Sequence, residues 1–243
     1  MNFRNYIVLI TILFLSACGK KSPCFKGAGD FTSDFIEVDD VFSSISLHDD
    51  INIVLIDSPS NKIEVEAGEN LIPFVEAKVI NGSLELRNNN KCDFLRGFKH
   101  QITIYISISN IEKIDYYGTG NITSVDTLRY SDFLLEVWDG MGSINLTLKS
   151  DKVSIKEHLG AADITLNGQA NDSYYYLISE GWFYFDKFIS KDVFVFQGGY
   201  GDISLHASQN LAIDKNSFGN IDFYGNPSVT VISDKGSGSI NKK

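Results

Sequence analysis

The sequence predicts an all-β chain whose second half winds as a parallel β-helix, with coils of about 20 residues. Three observations carry that prediction. From Phe35 on, apolar residues alternate with period two, no stretch there shows the apolar spacing of an amphipathic helix, and a Gly-x-Gly-x-Ile element returns at a near-constant interval.

The first element, residues 1–17, reads as an export signal. Arg4 gives a short basic start, Tyr6 to Phe14 is apolar but for Thr11, and Leu15-Ser16-Ala17-Cys18 follows directly. The apolar run falls short of the roughly 20 residues that a bilayer core requires, so a spanning helix is not expected. Small Ser16 and Ala17 leave room for a peptidase at the bond before Cys18, whose thiol is the expected site of lipid attachment. Residues 18–34 contain Lys20, Lys21, Pro23 and Gly27-Ala28-Gly29, lack apolar periodicity, and read as a flexible stalk. Cys24 and Cys92 remain. An envelope compartment permits a disulfide between them, and two unpaired buried thiols are the other reading.

Residues 35–243 read as one β-solenoid domain. Ile45 to Leu47, Ile51 to Ile53, Ile63 to Val65, Val75 to Val79 and Ile102 to Ile106 alternate as strands. Asn81-Gly82 separates Val79-Ile80 from Leu84-Glu85-Leu86, and that dipeptide tolerates the positive φ angles of a tight hairpin, so the first half is expected to include antiparallel pairing.

In the second half the apolar anchor of the repeat falls at 122, 144, 164, 183, 203, 221 and 240. If each step is one coil, equivalent residues stack about 4.8 Å apart, and each column must be chemically compatible. The anchor column is Ile except for Phe183, and the column two residues later, from Ser124 through Leu146 and Leu166 to Phe223, is also mostly apolar. Two residues before the anchor stand Gly120, Gly142, Ala162, Gly181, Gly201, Gly219 and Gly238, as expected where a neighbouring coil leaves no room for a side chain. Between glycine and anchor lie mainly polar turn residues, with Trp182 the exception. A Gly-x-Gly step can also cradle phosphate, but only where it leads into a helix; here each leads into another strand.

Several of these features together are similar to one known family. The lipobox, the Ile63-x-Val65-x-Ala67 strand with Glu69-Asn70-Leu71 after it, the Asn81-Gly82-x-Leu84 step and the Gly-Ser-Ile-Asn repeats at 142–145 and 238–241 resemble the auto-transporter adhesins with a head GIN domain, envelope lipoproteins of Bacteroidetes. The resemblance covers most of residues 36–243. It implies a right-handed parallel β-helix, an adhesive or structural role, no established chemistry and an outer-membrane lipid anchor. Surface-exported lipoproteins of that group carry acidic residues after the lipidated cysteine, whereas Lys20 and Lys21 follow Cys18. That leans toward the periplasmic face, and the choice of face stays open.

A net charge of −10 with no basic stripe argues against nucleic acid as a partner. His48, His100, His158 and His206 show no metal-ligand spacing and read as scattered surface residues; no catalytic set, metal site or cofactor is expected. Asp163 and Asp202 share a column two coils apart, near the upper separation for a pair of glycosidase carboxylates. With Trp182 between them and Tyr184 and Tyr200 close in sequence, they form the candidate ligand surface, for a glycan or an envelope protein. The competing reading has Asp163 and Asp202 capping their own turns. The expected function is therefore a non-enzymatic binding or adhesion module. The alternatives are a carbohydrate-active β-helix enzyme, lyase or hydrolase, and a structural protein that self-associates through the last coil at Gly236 to Asn241.

Overall fold

The computed structural model describes residues 26–38, 40–91, 101–107 and 109–243. The signal peptide, the lipidation site Cys18, the Cys24 and Cys92 pair and His100 lie outside the described residues. The first part of the body holds β1 (Phe31–Ile36), β2 (Ser44–Leu47), β3 (Ile51–Ile56), β4 (Lys62–Gly68), β5 (Val75–Ile80), β6 (Ser83–Asn88), β7 (Ile102–Ser107), β8 (Lys113–Tyr116) and β9 (Ile122–Ser124). The second part holds β10 (Leu128–Val137), β11 (Ser143–Glu157), β12 (Asp163–Leu177), β13 (Phe183–Gln197), β14 (Ile203–Lys215), β15 (Ile221–Tyr224), β16 (Ser228–Asp234) and β17 (Ile240–Lys242). One 3-10 turn at Ile72–Phe74 interrupts the strands, and among the described residues no helix is long and apolar enough to cross a membrane.

The chain is a β-solenoid, as the repeat predicts. Strands β11 to β14 pair in parallel along nearly their whole length. Each is long because it covers two faces of a coil. The first half of β11 pairs with β9, and its second half pairs with β10. The same division recurs where β14 meets β15 and then β16. A bend near the middle of each long strand therefore joins the two faces, and the glycine turn closes the coil.

The solenoid also extends into the first half of the chain. Ile104 pairs with Ile53, and Ile53 with Ile122, so the anchor column runs through Ile104, Ile53, Ile122, Ile144, Ile164, Phe183, Ile203, Ile221 and Ile240. On the other face Leu84, Ile45, Ile114, Leu135, Ile155, Tyr175, Val195 and Ile213 form the matching inward column. All eight are essentially inaccessible to solvent. A fully buried aliphatic side chain of this size is favoured by about 2 kcal/mol over its exposed state, so stacking is what holds the coils in register. Antiparallel pairing is confined to the early strands, β1 with β4, β4 with β7, and β5 with β6. The β5–β6 hairpin turns at Asn81 (φ 52°) and Gly82 (φ 78°), both in the left-handed region that Asn-Gly favours.

One boundary differs from the sequence reading, which places a flexible stalk over 18–34. Strand β1 begins at Phe31 and pairs along its own whole length with β4, while Ala28 is buried against Gly68. Nearly every residue of β1 is exposed on both sides, so the strand has no inward set and leaves no alternation to read.

Candidate functional site

The glycine turns form one edge of the solenoid, and the packing there is very close. A Cβ added to Gly142 would overlap the carbonyl of Gly120; at Gly181 it would overlap that of Ala162, at Gly201 that of Gly181, at Gly219 that of Gly201, and at Gly238 that of Gly219. Each partner is the equivalent residue one coil earlier. The coil with Ala162 in this column turns through Gly160 at φ 97°.

Side chains on both sides of the backbone hold this edge. Inside, the column Tyr116, Val137, Glu157, Leu177, Gln197, Lys215 carries four polar groups into the core. The Tyr116 hydroxyl donates to the Gly120 carbonyl (2.6 Å) and accepts the Gly142 N–H (2.9 Å). Glu157 Oε1 accepts the Ala162 N–H (3.0 Å), and Gln197 Nε2 donates to the Gly199 and Gly201 carbonyls (2.9 and 3.2 Å). Lys215, also buried, donates to the Lys235 carbonyl (3.2 Å) and pairs with Asp234 (2.8 Å). Outside, the Asn and Asp residues before the anchors cap the coil that follows. Asn52 accepts the Asn121 N–H, Asn121 the Ser143 N–H, and Asn220 the Ser239 N–H.

Asp163 and Asp202 belong to this outer series. Asp163 Oδ1 accepts the Trp182 N–H (3.0 Å), and Asp202 Oδ1 accepts the Asn220 N–H (2.7 Å) and its amide (3.0 Å). Both carboxylates thus cap the next coil rather than their own turn, and each has one oxygen committed to structure. Trp182 stands between them, 48% exposed. Together with Tyr200, 64% exposed, and Glu180 it lines a shallow recess on the turn edge. Tyr184, 45% exposed, is the next outward residue along the same strand and lies outside that lining. Phe218, unremarked in the sequence reading, stacks on Tyr200 with ring centroids 5.5 Å apart. The signal was present, since 200 and 218 are the middle residues of successive small-x-Gly turns.

A second aromatic group lies on the face that ends at these turns. His48, Tyr117, Trp138 and His158 form a ladder with centroid separations of 4.7, 6.3 and 4.4 Å, continued by Tyr176 and Phe196. His48 and His158, which read as scattered in sequence, therefore share one ladder. Only the parallel pairing of β8 with β2 and β10 brings their columns together. Beside the ladder, buried Glu136 meets Lys113 (2.8 Å) and Lys156 (3.2 Å), with His158 Nε2 at 3.6 Å. Burial pushes the Glu136 carboxyl up, but the hydrogen bonds from the two lysines outweigh it and hold the group below its usual range. Those rings spend their faces on one another. Trp182 and Tyr184 take part in no ring contact among the described residues, and their column neighbours are Asp163, Asp202, Thr165 and Ser204. Both rings therefore keep their faces open beside polar neighbours.

A perturbed carboxylate is the usual pointer to an acid or base. Here it is Glu157, pushed up to about 8 by burial and only partly drawn back by the Ser179 hydroxyl and the Ala162 N–H. The side chain points into the core and is wholly buried, so it cannot touch a ligand at the surface. Among the described residues no three of His, Cys, Asp and Glu converge closely enough to hold a metal ion.

Residues 41–227 match the model of a family described as "Putative auto-transporter adhesin, head GIN domain". Solved structures share the fold at low identity. A "putative adhesin" from Bacteroides fragilis is 21% identical with a TM-score of 0.78, the match covering 88% of this chain and 97% of that one. A "putative lipid binding protein" from Parabacteroides distasonis is 17% identical with a TM-score of 0.68, over 89% and 98%. A "putative adhesin" from Parabacteroides merdae is 19% identical with a TM-score of 0.62, over 89% and 98%. No curated protein matches the chain.

The buried Glu157 makes stability depend on pH in a defined direction. Its folded pKa lies above the unfolded value of about 4.3, so the folded chain binds the extra proton, and stability falls as pH rises from the unfolded value toward 8. Urea denaturation is expected to show a loss of about 3 kcal/mol between pH 5 and pH 7. In Glu157→Gln, which keeps an acceptor for the Ala162 N–H, that dependence is expected to disappear. Equal stability of the unsubstituted chain at the two pH values would contradict the assignment.

Proposed function

The chain belongs to the adhesin-like head GIN domain family, and from that premise we propose that it is a non-enzymatic contact module of the cell envelope that presents its turn edge to a glycan or to another envelope protein. The observation that supports this reading is the placement of Trp182, Tyr184 and Tyr200. These are large rings, roughly half exposed, on a turn edge where Asp163 accepts the Trp182 N–H and Gln197 donates to the Gly199 and Gly201 carbonyls. Rigid aromatic side chains offer contact area at small entropic cost, and a ring flanked by hydrogen-bonding groups suits a sugar face. Asp163 and Asp202 serve the surface by fixing Trp182 and its neighbours in place. The polysaccharide-active alternative would need free carboxylates; the committed oxygens of Asp163 and Asp202 and the buried position of Glu157 weigh against it.

In this reading Cys18 carries lipid and fixes the solenoid to the outer membrane, with Cys24 and Cys92 free to pair and pin the anchor to the body. Two measurements bear on it. In Trp182→Ala/Tyr200→Ala, binding to a glycan array and to isolated envelope proteins is expected to fall at least about tenfold, with the melting temperature unchanged, because neither ring is part of the core. Undiminished binding removes the turn edge as the contact surface. Cys18→Ala is expected to lose incorporation of labelled fatty acid and partitioning into detergent; retention of both would mean that the membrane attachment lies elsewhere.

A further inference from the structure

The bend joining the two faces, at the opposite edge of the coil from the glycine turns, carries a recess of about 640 Å³ that crosses five coils, from Arg129 to Ser208. Its lining is cationic in a chain whose net charge is −10. Arg129, Lys149 and Gln169 occupy one outward column at successive coils, through the pairings of β10 with β11 and β11 with β12. Two residues further along, Asp151, Asn171 and Lys191 do the same, and the Asn171 amide donates to Asp151 at 2.9 Å. Asp151 is the lone carboxylate of the lining, set against three cations. Among the described residues neither Lys149 nor Lys191 has an ion-pair partner, while Arg129, itself exposed, has one partner, the partly buried Asp57, at 3.4 Å. Tyr130 and Ser150 also border the recess. Both are buried, and their hydroxyls have no protein hydrogen-bond partner.

Cations alone attract any anion, so the remaining groups decide the class. The recess offers the side-chain amides of Gln169 and Asn171 between its lysines, and Ile189 is its one large aliphatic side chain. It has no apolar pocket for the anchoring side chains of a peptide and no exposed ring on which a nucleic-acid base could stack. Five coils at about 4.8 Å place the first and last of them about 19 Å apart, which suits an extended chain lying along the solenoid axis. The charge of the rest of the molecule is screened beyond about 8 Å at physiological salt, so the local cations govern what enters.

We infer that this recess is a binding groove for an anionic polysaccharide, a linear chain of carboxylated sugars whose carboxylates meet Lys149 and Lys191 and whose hydroxyls meet Gln169 and Asn171. The groove is distinct from the Trp182 edge and does not depend on it. Calorimetric titration of the full chain with polygalacturonate tests the inference, with the methyl-esterified polymer as the uncharged counterpart. Binding is expected for polygalacturonate, at least tenfold weaker for the ester, at least tenfold weaker in Lys149→Gln/Lys191→Gln, and retained in Lys149→Arg/Lys191→Arg. Both lysines are exposed, so an unchanged melting temperature is expected in every variant. The inference is overturned by absence of binding, by equal affinity for the ester, or by full affinity in the glutamine variant. Poly-aspartate binding as tightly as polygalacturonate would overturn it in favour of an acidic peptide.

Discussion

Where the chain closes each coil, successive backbones approach so closely that the carbonyl of one coil fills the space a Cβ would need on the next. Gly142, Gly181, Gly201, Gly219 and Gly238 all stand in that relation to the residue one coil before. The repeat length follows from it, since the closure must fall at the same point of every coil for the carbonyl to meet a glycine. So do the columns. Once the turns are superposed, Ile must stack on Ile, and the polar residue before each anchor must lie over the next coil's backbone N–H.

Backbone groups brought this near together need partners, because an unpaired one away from water costs on the order of a hydrogen bond. The interior column supplies them from within, through Tyr116, Glu157 and Gln197, while Asn121, Asp163, Asp202 and Asn220 supply them from outside. This division explains why carboxylates near the turn edge are poor candidates for chemistry and why the rings there are good candidates for contact. Asp163 and Asp202 are part of the scaffold. Trp182 and Tyr200 project from it without being needed to hold it.

Much of this was legible in the sequence, and what was not has physical reasons. The glycine column and the Ile column are visible because sterics allow few substitutions there. The register of the first coils was hidden because their turn at His48-Asp49-Asp50 has no glycine; Asp49 itself takes φ 60°. Strand β1 was hidden because an edge strand exposed on both sides has no alternation. The inward Glu157, Gln197 and Lys215 could have been found by parity, since each continues the inward set of its strand after Ile155, Val195 and Ile213. The ladder through His48 and His158 could not, because it joins residues more than a hundred positions apart whose register only the β2–β8–β10 pairing defines.

The central claim, that contact between coils at the glycine column governs the fold, is tested most directly by placing one methyl group there. Equilibrium denaturation of Gly201→Ala should show a loss of about 3 kcal/mol or more, because the added carbon overlaps the Gly181 carbonyl and the bracing on both sides resists relaxation. Gly27→Ala, where nothing lies within 4 Å of the added carbon, should stay within about 0.5 kcal/mol of the unsubstituted chain. Equal stability of the two variants would contradict the account.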